Sequence, residues 1–210
     1  IDITGGRVDP LPIAIAPFLA GGGAEESAAT ISAVVTNDLG RSGYFAPLDP
    51  ATFIEQITSF DQTPNLASWK QVQAKALVTG QTFMDGGKMR VEFRLWDVNT
   101  GQQLAAQQFT TSPKNDRRIG HMIADIIYKQ MTGIDGYFDT RIVFVMEDGP
   151  KDKRVKKLAI MDQDGFNVRP LTDGKDLVLT PRFSPSTNEI TYMSFGNAEP
   201  RVYLMNIDTK

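Results

Sequence analysis

Hydrophobic positions follow two regimes along the chain. Up to about Gly136, runs of period two are interleaved with runs of helical period, and from Phe138 onward only strand-like runs and turns remain. Residues Ile1 to Pro12 read as extended, because Ile1 and Ile3 alternate with Asp2 and Thr4 and the prolines at 10 and 12 oppose helix. Ile13-Ala14-Ile15-Ala16 suits a buried strand, and Gly21-Gly22-Gly23 makes the turn after it. Glu25-Glu26 then open a helix with Ala28, Ile31, Val34, Val35 and Leu39 along one stripe, stopped by Gly43. Tyr44 to Leu48 reads as a brief strand, and Asn65 as the cap of a short helix running through Trp69 and Val72.

Three strands come next, Ala76–Met84, Met89–Val98 and Gln103–Thr111, joined by the turn sequences Asp85-Gly86-Gly87 and Asn99-Thr100-Gly101. Asp116 leads a helix in which Ile119, Met122, Ile123, Ile126 and Ile127 fall at helical spacing, and Gly133 ends it. The change of regime predicts an α/β domain over residues 1–136, a mixed sheet with flanking helices, and an all-β part over 137–210.

The all-β part centres on Thr180 to Phe195, where two short runs flank a Ser-Pro…Asn-Glu turn and predict a hairpin. Proline donates nothing to a strand ladder, so Pro181 and Pro185 are expected to bracket a short first strand. In the second run Ile190, Tyr192 and Ser194 share one face and Thr191, Met193 and Phe195 the other, and their apolar character predicts cover on both sides. This hairpin also belongs to a repeat. Ile142–Asp148 is answered by Ile190–Gly196, and Leu158–Asp164 by Val202–Asp208, at a spacing in the range of four-stranded propeller blades. The chain stops at Lys210 within the second copy, which predicts that the natural protein continues.

Composition narrows the setting little. A net charge of -3 offers no overall attraction to nucleic acid, and no apolar run reaches the roughly 20 residues a bilayer-spanning helix takes. Without cysteine there are no disulfides and no thiolate metal sites. A first residue other than Met fits an exported protein that has lost a signal peptide.

Candidate chemistry thins out on inspection. The glycine triplet lies between strand and helix, but Glu26 occupies the third glycine of a dinucleotide fingerprint, and Glu25 and Glu26 would repel a phosphate from the helix dipole. His121 is the only histidine; it is offset from the apolar stripe with Asp125 one turn on, so a solvated helix-face residue is expected. One histidine and no cysteine leave a zinc site short of ligands. Asp162-Gln163-Asp164-Gly165 begins like a calcium loop, but Phe166 and Asn167 break the pattern, and a tight turn is expected. The basic run Lys151–Lys157 lacks interleaved aromatics and reads as a solvated hairpin loop, with a polyanion or an acidic partner as the alternative. No catalytic constellation emerges, so binding rather than catalysis is expected, with no cofactor.

At Pro181-Arg182-Phe183-Ser184-Pro185, Glu189 to Ser194 and Arg201 to Asn206 the chain resembles the blades of the TolB family. Pro12–Phe18, Leu39–Phe45, Leu77–Gly80, Met131–Gly136 and Phe138–Val145 are similar to the same family over the first domain and its junction. The resemblance covers the whole chain. It implies an α/β domain followed by the start of a six-bladed propeller, incomplete here, with Leu179–Phe183 as an innermost strand. Residues 142–171 would be the outer three strands of a blade closed by the C-terminus, and the first few residues of the mature N-terminus would precede Ile1.

The function implied is a non-catalytic periplasmic scaffold of the Tol-Pal system that supports outer-membrane integrity and cell division. It binds the lipoprotein Pal through the propeller and TolA through the N-terminal segment, without nucleic acid, and meets the outer membrane peripherally through Pal. The protein-binding residues implied are Ile1, Asp2, Ile3, Thr4, Leu179 and Thr180. The alternative is the propeller of a prolyl-oligopeptidase-like serine peptidase, which needs a Gly-x-Ser-x-Gly elbow that the chain lacks.

Overall fold

The computed structural model describes residues 9–196, 199–207 and 209. The chain divides into two compact units, Ile1–Asp139 and Thr140–Lys210. In the first, β1 (Leu11–Ile15) is the interior strand of a mixed sheet, parallel to β3 (Phe45–Pro47) on one side and β4 (Ala76–Asp85) on the other. Beyond β4 the sheet turns antiparallel through β5 (Lys88–Asp97) and β6 (Gln103–Thr111), in the order β3-β1-β4-β5-β6. A three-residue β2 (Leu19–Gly21), which the apolar pattern does not announce, pairs parallel with β4.

The two 17-residue helices α1 (Glu25–Arg41) and α3 (Asp116–Thr132) pack on one face, and the short α2 (Leu66–Gln71) lies between them in sequence. On that face Ile31, Leu39, Phe93, Ile123 and Ile127 are all 0% exposed. The other face is covered by a smaller cluster around Trp69, Leu77, Trp96 and Val98. The α/β domain therefore has the mixed sheet and flanking helices that the pattern predicts. Its caps follow too: Asn65 accepts from the Ala67 N–H, and Gly133 closes α3 in the left-handed region at φ +76°.

Helices α1 and α3 approach unusually closely at Gly120. A Cβ there would stand 2.7 Å from Val34 Cβ and 3.3 Å from the Ile31 carbonyl oxygen, both fixed points of α1. Alanine is the better helix former by about 1 kcal/mol, so propensity alone would favour Gly120→Ala. Forcing two packed helices apart costs about 1–3 kcal/mol, and this effect wins. Gly120→Ala is expected to lower the urea midpoint with an unchanged slope; a raised midpoint would show that α1 yields freely.

The second unit holds two three-stranded antiparallel sheets: β7 (Arg141–Asp148), β8 (Val155–Asp162) and β9 (Arg169–Pro170), then β10 (Val178–Phe183), β11 (Glu189–Ser194) and β12 (Arg201–Asn206). They share one core, with Leu158, Ile160, Val178 and Ile190 buried at its centre. This arrangement corrects two expectations. Strand β10 runs through Pro181 instead of starting after it, because the proline falls at a register shift between Leu179 and Arg182, where no ladder N–H is asked of it. Strand β11 is well covered on one face only: Ile190 and Ser194 are buried, while Thr191 is exposed and Met193 half-buried.

Candidate functional site

The two partner-binding segments implied by sequence stand differently in the structure. Ile1, Asp2, Ile3 and Thr4 lie outside the described residues. Leu179 and Thr180 are in β10, the edge strand of its sheet, half-buried and exposed respectively. Leu179 is the last residue paired in register with β11, opposite Met193, and pairing resumes only at Arg182 opposite Thr191. Upstream, Leu177 is 43% exposed, so an apolar side chain stands at the surface beside this irregularity. Across the sheet Tyr192 and Tyr203 face each other in register with ring centroids 5.6 Å apart, and burial raises the Tyr192 phenol above its usual value.

His121 corrects the expectation of a solvated histidine. Its side chain is buried, and Nδ1 lies 2.6 Å from Oδ2 of Asp38, itself 0% exposed on α1. The other oxygen of Asp38 accepts from Arg41 Nη2 at 2.7 Å. The pairing has a steric cause: Gly120 lets α3 approach until an imidazole reaches across to a carboxylate on the facing helix.

Asp125, one turn beyond His121, does not accompany it. Its carboxylate accepts from the Phe138 N–H at 2.7 Å and the Asp139 N–H at 3.0 Å, fastening the segment that follows α3. Burial outweighs those two hydrogen bonds and raises the Asp125 carboxyl above the ordinary aspartate value. Sequence spacing offered no sign of this role, since the acceptor and its two donors are 13 and 14 residues apart.

The remaining motifs resolve as turns. Gly22 has φ +66° and its Cβ would meet the Met84 carbonyl oxygen at 2.8 Å, so the glycine triplet serves a tight passage against β4. In Asp162–Gly165 the Gly165 N–H donates to the Asp162 carbonyl and Asn167 Nδ2 donates to the Asp162 carboxylate, the hydrogen bonds of a tight turn. In the basic hairpin, Glu147 meets Lys156 at 2.8 Å and Arg154 at 3.1 Å. The Lys156 ammonium is the larger influence holding Glu147 below the usual carboxylate range. The run is thus partly neutralised by its own strand. A cleft of about 370 Å³ in the first unit, lined by Phe18, Phe53, Glu55 and Trp69, holds one carboxylate, and both oxygens of Glu55 already accept from Trp69 Nε1 and the Asn65 N–H.

Residues 1–104 match the family model of the TolB amino-terminal domain, and residues 128–210 match that of the TolB beta propeller domain. The crystal structure of TolB from Acinetobacter baumannii superimposes with a TM-score of 0.74 at 28% identity, over 95% of this chain. The chain belongs to the TolB family. It spans 48% of the Acinetobacter TolB chain. In TolB terms, the mixed α/β unit is the amino-terminal domain, and the two unclosed three-stranded sheets are the start of a propeller. Lipoprotein GNA1162 from Neisseria meningitidis also matches, at 15% identity and a TM-score of 0.41, over 60% of this chain and 99% of that one. The LpoB C-terminal domain from Escherichia coli matches at 13% identity and a TM-score of 0.41, over 51% of this chain and 86% of that one.

Proposed function

We propose that this chain is the amino-terminal domain and first propeller strands of a periplasmic scaffold of the Tol-Pal system. It binds Pal through the propeller and TolA through Ile1–Thr4, and it supports outer-membrane integrity and cell division without catalysing a reaction. The observation that carries this reading is the presence of both TolB modules in one order in one chain, together with the 0.74 superposition on a TolB structure. Two further features support it. No described helix is long and apolar enough to cross a membrane. The single histidine is buried between two helices at 2% exposure, away from the solvent through which a substrate would arrive.

The TolA segment has a physical rationale in its sequence. Ile1 and Ile3 alternate with polar Asp2 and Thr4, a pattern suited to strand addition at a partner's sheet edge, where backbone hydrogen bonds give affinity and alternate side chains selectivity. Deleting Ile1–Thr4 from the intact protein is expected to weaken TolA binding by roughly thirtyfold or more, the effect of one hot spot of about 2 kcal/mol. Pal binding should be unchanged. Calorimetric titration of both partners against intact and shortened protein makes the measurement, and unchanged TolA affinity would remove the assignment of the segment.

A further inference from the structure

One strand position in the first sheet is vacant. Strands β1 and β2 lie end to end along β4, Ile13–Ile15 opposite Ala76–Val78 and Leu19–Gly21 opposite Gln81–Phe83. On its other side β1 is flanked by β3, which ends at Pro47. The chain then enters a short turn of helix at Pro50–Thr52, so no strand continues alongside β2. Among the described residues the backbone of Leu19–Gly21 bonds only to β4, and its outer side presents an open strand edge.

The cleft that holds Glu55 opens along this edge. Phe18 belongs to the large core under α1 and α3, and Trp69 to the smaller core on the opposite face of the sheet. Both line the cleft, which therefore lies at the sheet's margin, together with Leu19 of β2 and with Phe53, Glu55 and Ile57 of the segment that follows β3. Its walls are fixed by packing. The Phe18 ring sits on Gly80 of β4 and leaves no room there for a Cβ, and Phe53 meets Trp69 edge-on with centroids 4.9 Å apart.

Glu55 is the one charged residue in this lining. Its oxygens accept from Trp69 Nε1 at 2.6 Å and from the Asn65 N–H at 3.0 Å, both neutral donors, so its charge stays uncompensated. A carboxylate has about four lone-pair directions, and two remain for a ligand. A negative charge held among aromatic rings attracts a cation more strongly than one in open water.

We infer that the cleft and the open side of β2 form one binding site for an extended peptide, whose backbone adds as a strand and whose Arg or Lys side chain enters the cleft to meet Glu55. The two features select the same occupant. A strand edge recognises an extended backbone. The aromatic walls and the carboxylate suit the apolar stem and charged head of a long basic side chain. The site lies within the first unit and is independent of the scaffold reading above.

The test selects a random heptapeptide library on the intact protein and titrates the enriched peptide in synthetic form. Basic residues flanked by apolar ones should be enriched, and the peptide should shift the amide resonances of Leu19–Gly21. Replacing its basic residue with norleucine should weaken binding by about tenfold or more, as should N-methylation of the alternate backbone groups that face β2. Glu55→Gln should weaken the parent peptide by a similar factor and leave the norleucine peptide unchanged, which separates lost charge from an altered fold. Enrichment of no peptide, or of peptides without a basic residue, overturns the inference. n-Butylguanidine, the side chain alone, should bind at least about tenfold more weakly than the peptide. Equal affinity would assign the cleft to a small free cation and remove the strand addition.

Discussion

Replacing Asp38 with alanine lowers the stability of the first unit by about 1–3 kcal/mol, the cost of leaving a buried polar group without its hydrogen-bond partner. The carboxylate is fully buried and its two oxygens serve His121 and Arg41. The two partners contribute unequally. Arg41 is 45% exposed at its side chain and regains water when released, so its loss counts for little. His121 is buried within the α1–α3 interface and loses its Asp38 contact there. The midpoint of the first unit's unfolding should fall by roughly 3–15 °C. Asp38→Asn preserves an acceptor and should fall between. Adding His121→Ala to Asp38→Ala should cost little more, because the two changes remove one interaction. A fully additive pair of losses would show that the contact at 2.6 Å contributes nothing.

Phe138→Ala is expected to cost about 3–5 kcal/mol, the usual toll of a large buried aromatic. Phe138 is 0% exposed in the core of the first unit, edge-on to Tyr128 at 5.7 Å and tilted against Tyr137 at 4.6 Å. Its backbone N–H also donates to Asp125, and Arg118 meets Asp139 at 3.1 Å, so the segment is fastened by both backbone and side chains. A fragment of residues 1–139 should therefore unfold cooperatively. One ending at residue 136 should melt at least roughly 10 °C lower, since it loses the ring and leaves Asp125 without either N–H. Equal midpoints in scanning calorimetry would show that Phe138 contributes no core.

Much of this architecture is legible in sequence because its signals are local. The period-two runs at 76–111, the stripe from Ala28 to Leu39 and the cap at Gly133 each depend on residues within one element. What escaped depends on residues far apart. Asp38 lies i+4 from Val34 and i+3 from Val35, within the buried stripe, so a polar residue there pointed to a partner. That partner was hidden because His121 shares its face with Gly120, Ala124 and Tyr128, a set with no strong apolar period. The interface is built on smallness, which hydropathy does not register. The register shift after Leu179 was hidden for another reason: Pro181 reads as a strand boundary, and only the register of β11 shows the strand passing through it. The family resemblance named Leu179 and Thr180 without revealing their backbone.

The smaller core of the first unit decides what an optical experiment on this protein can see. Both tryptophans, Trp69 and Trp96, belong to the cluster on the sheet face opposite α1 and α3, with Trp69 Nε1 bound to Glu55 and Trp96 Nε1 bound to Thr79. The second unit has no indole, and its aromatic emission rests on Tyr192 and Tyr203. Fluorescence excited at the red edge therefore follows the melting of the first unit while remaining silent about the propeller strands. Tyrosine absorbance and circular dichroism take in both units, since Tyr44, Tyr128 and Tyr137 belong to the first, so any change they show after the indole signal is complete belongs to the propeller strands.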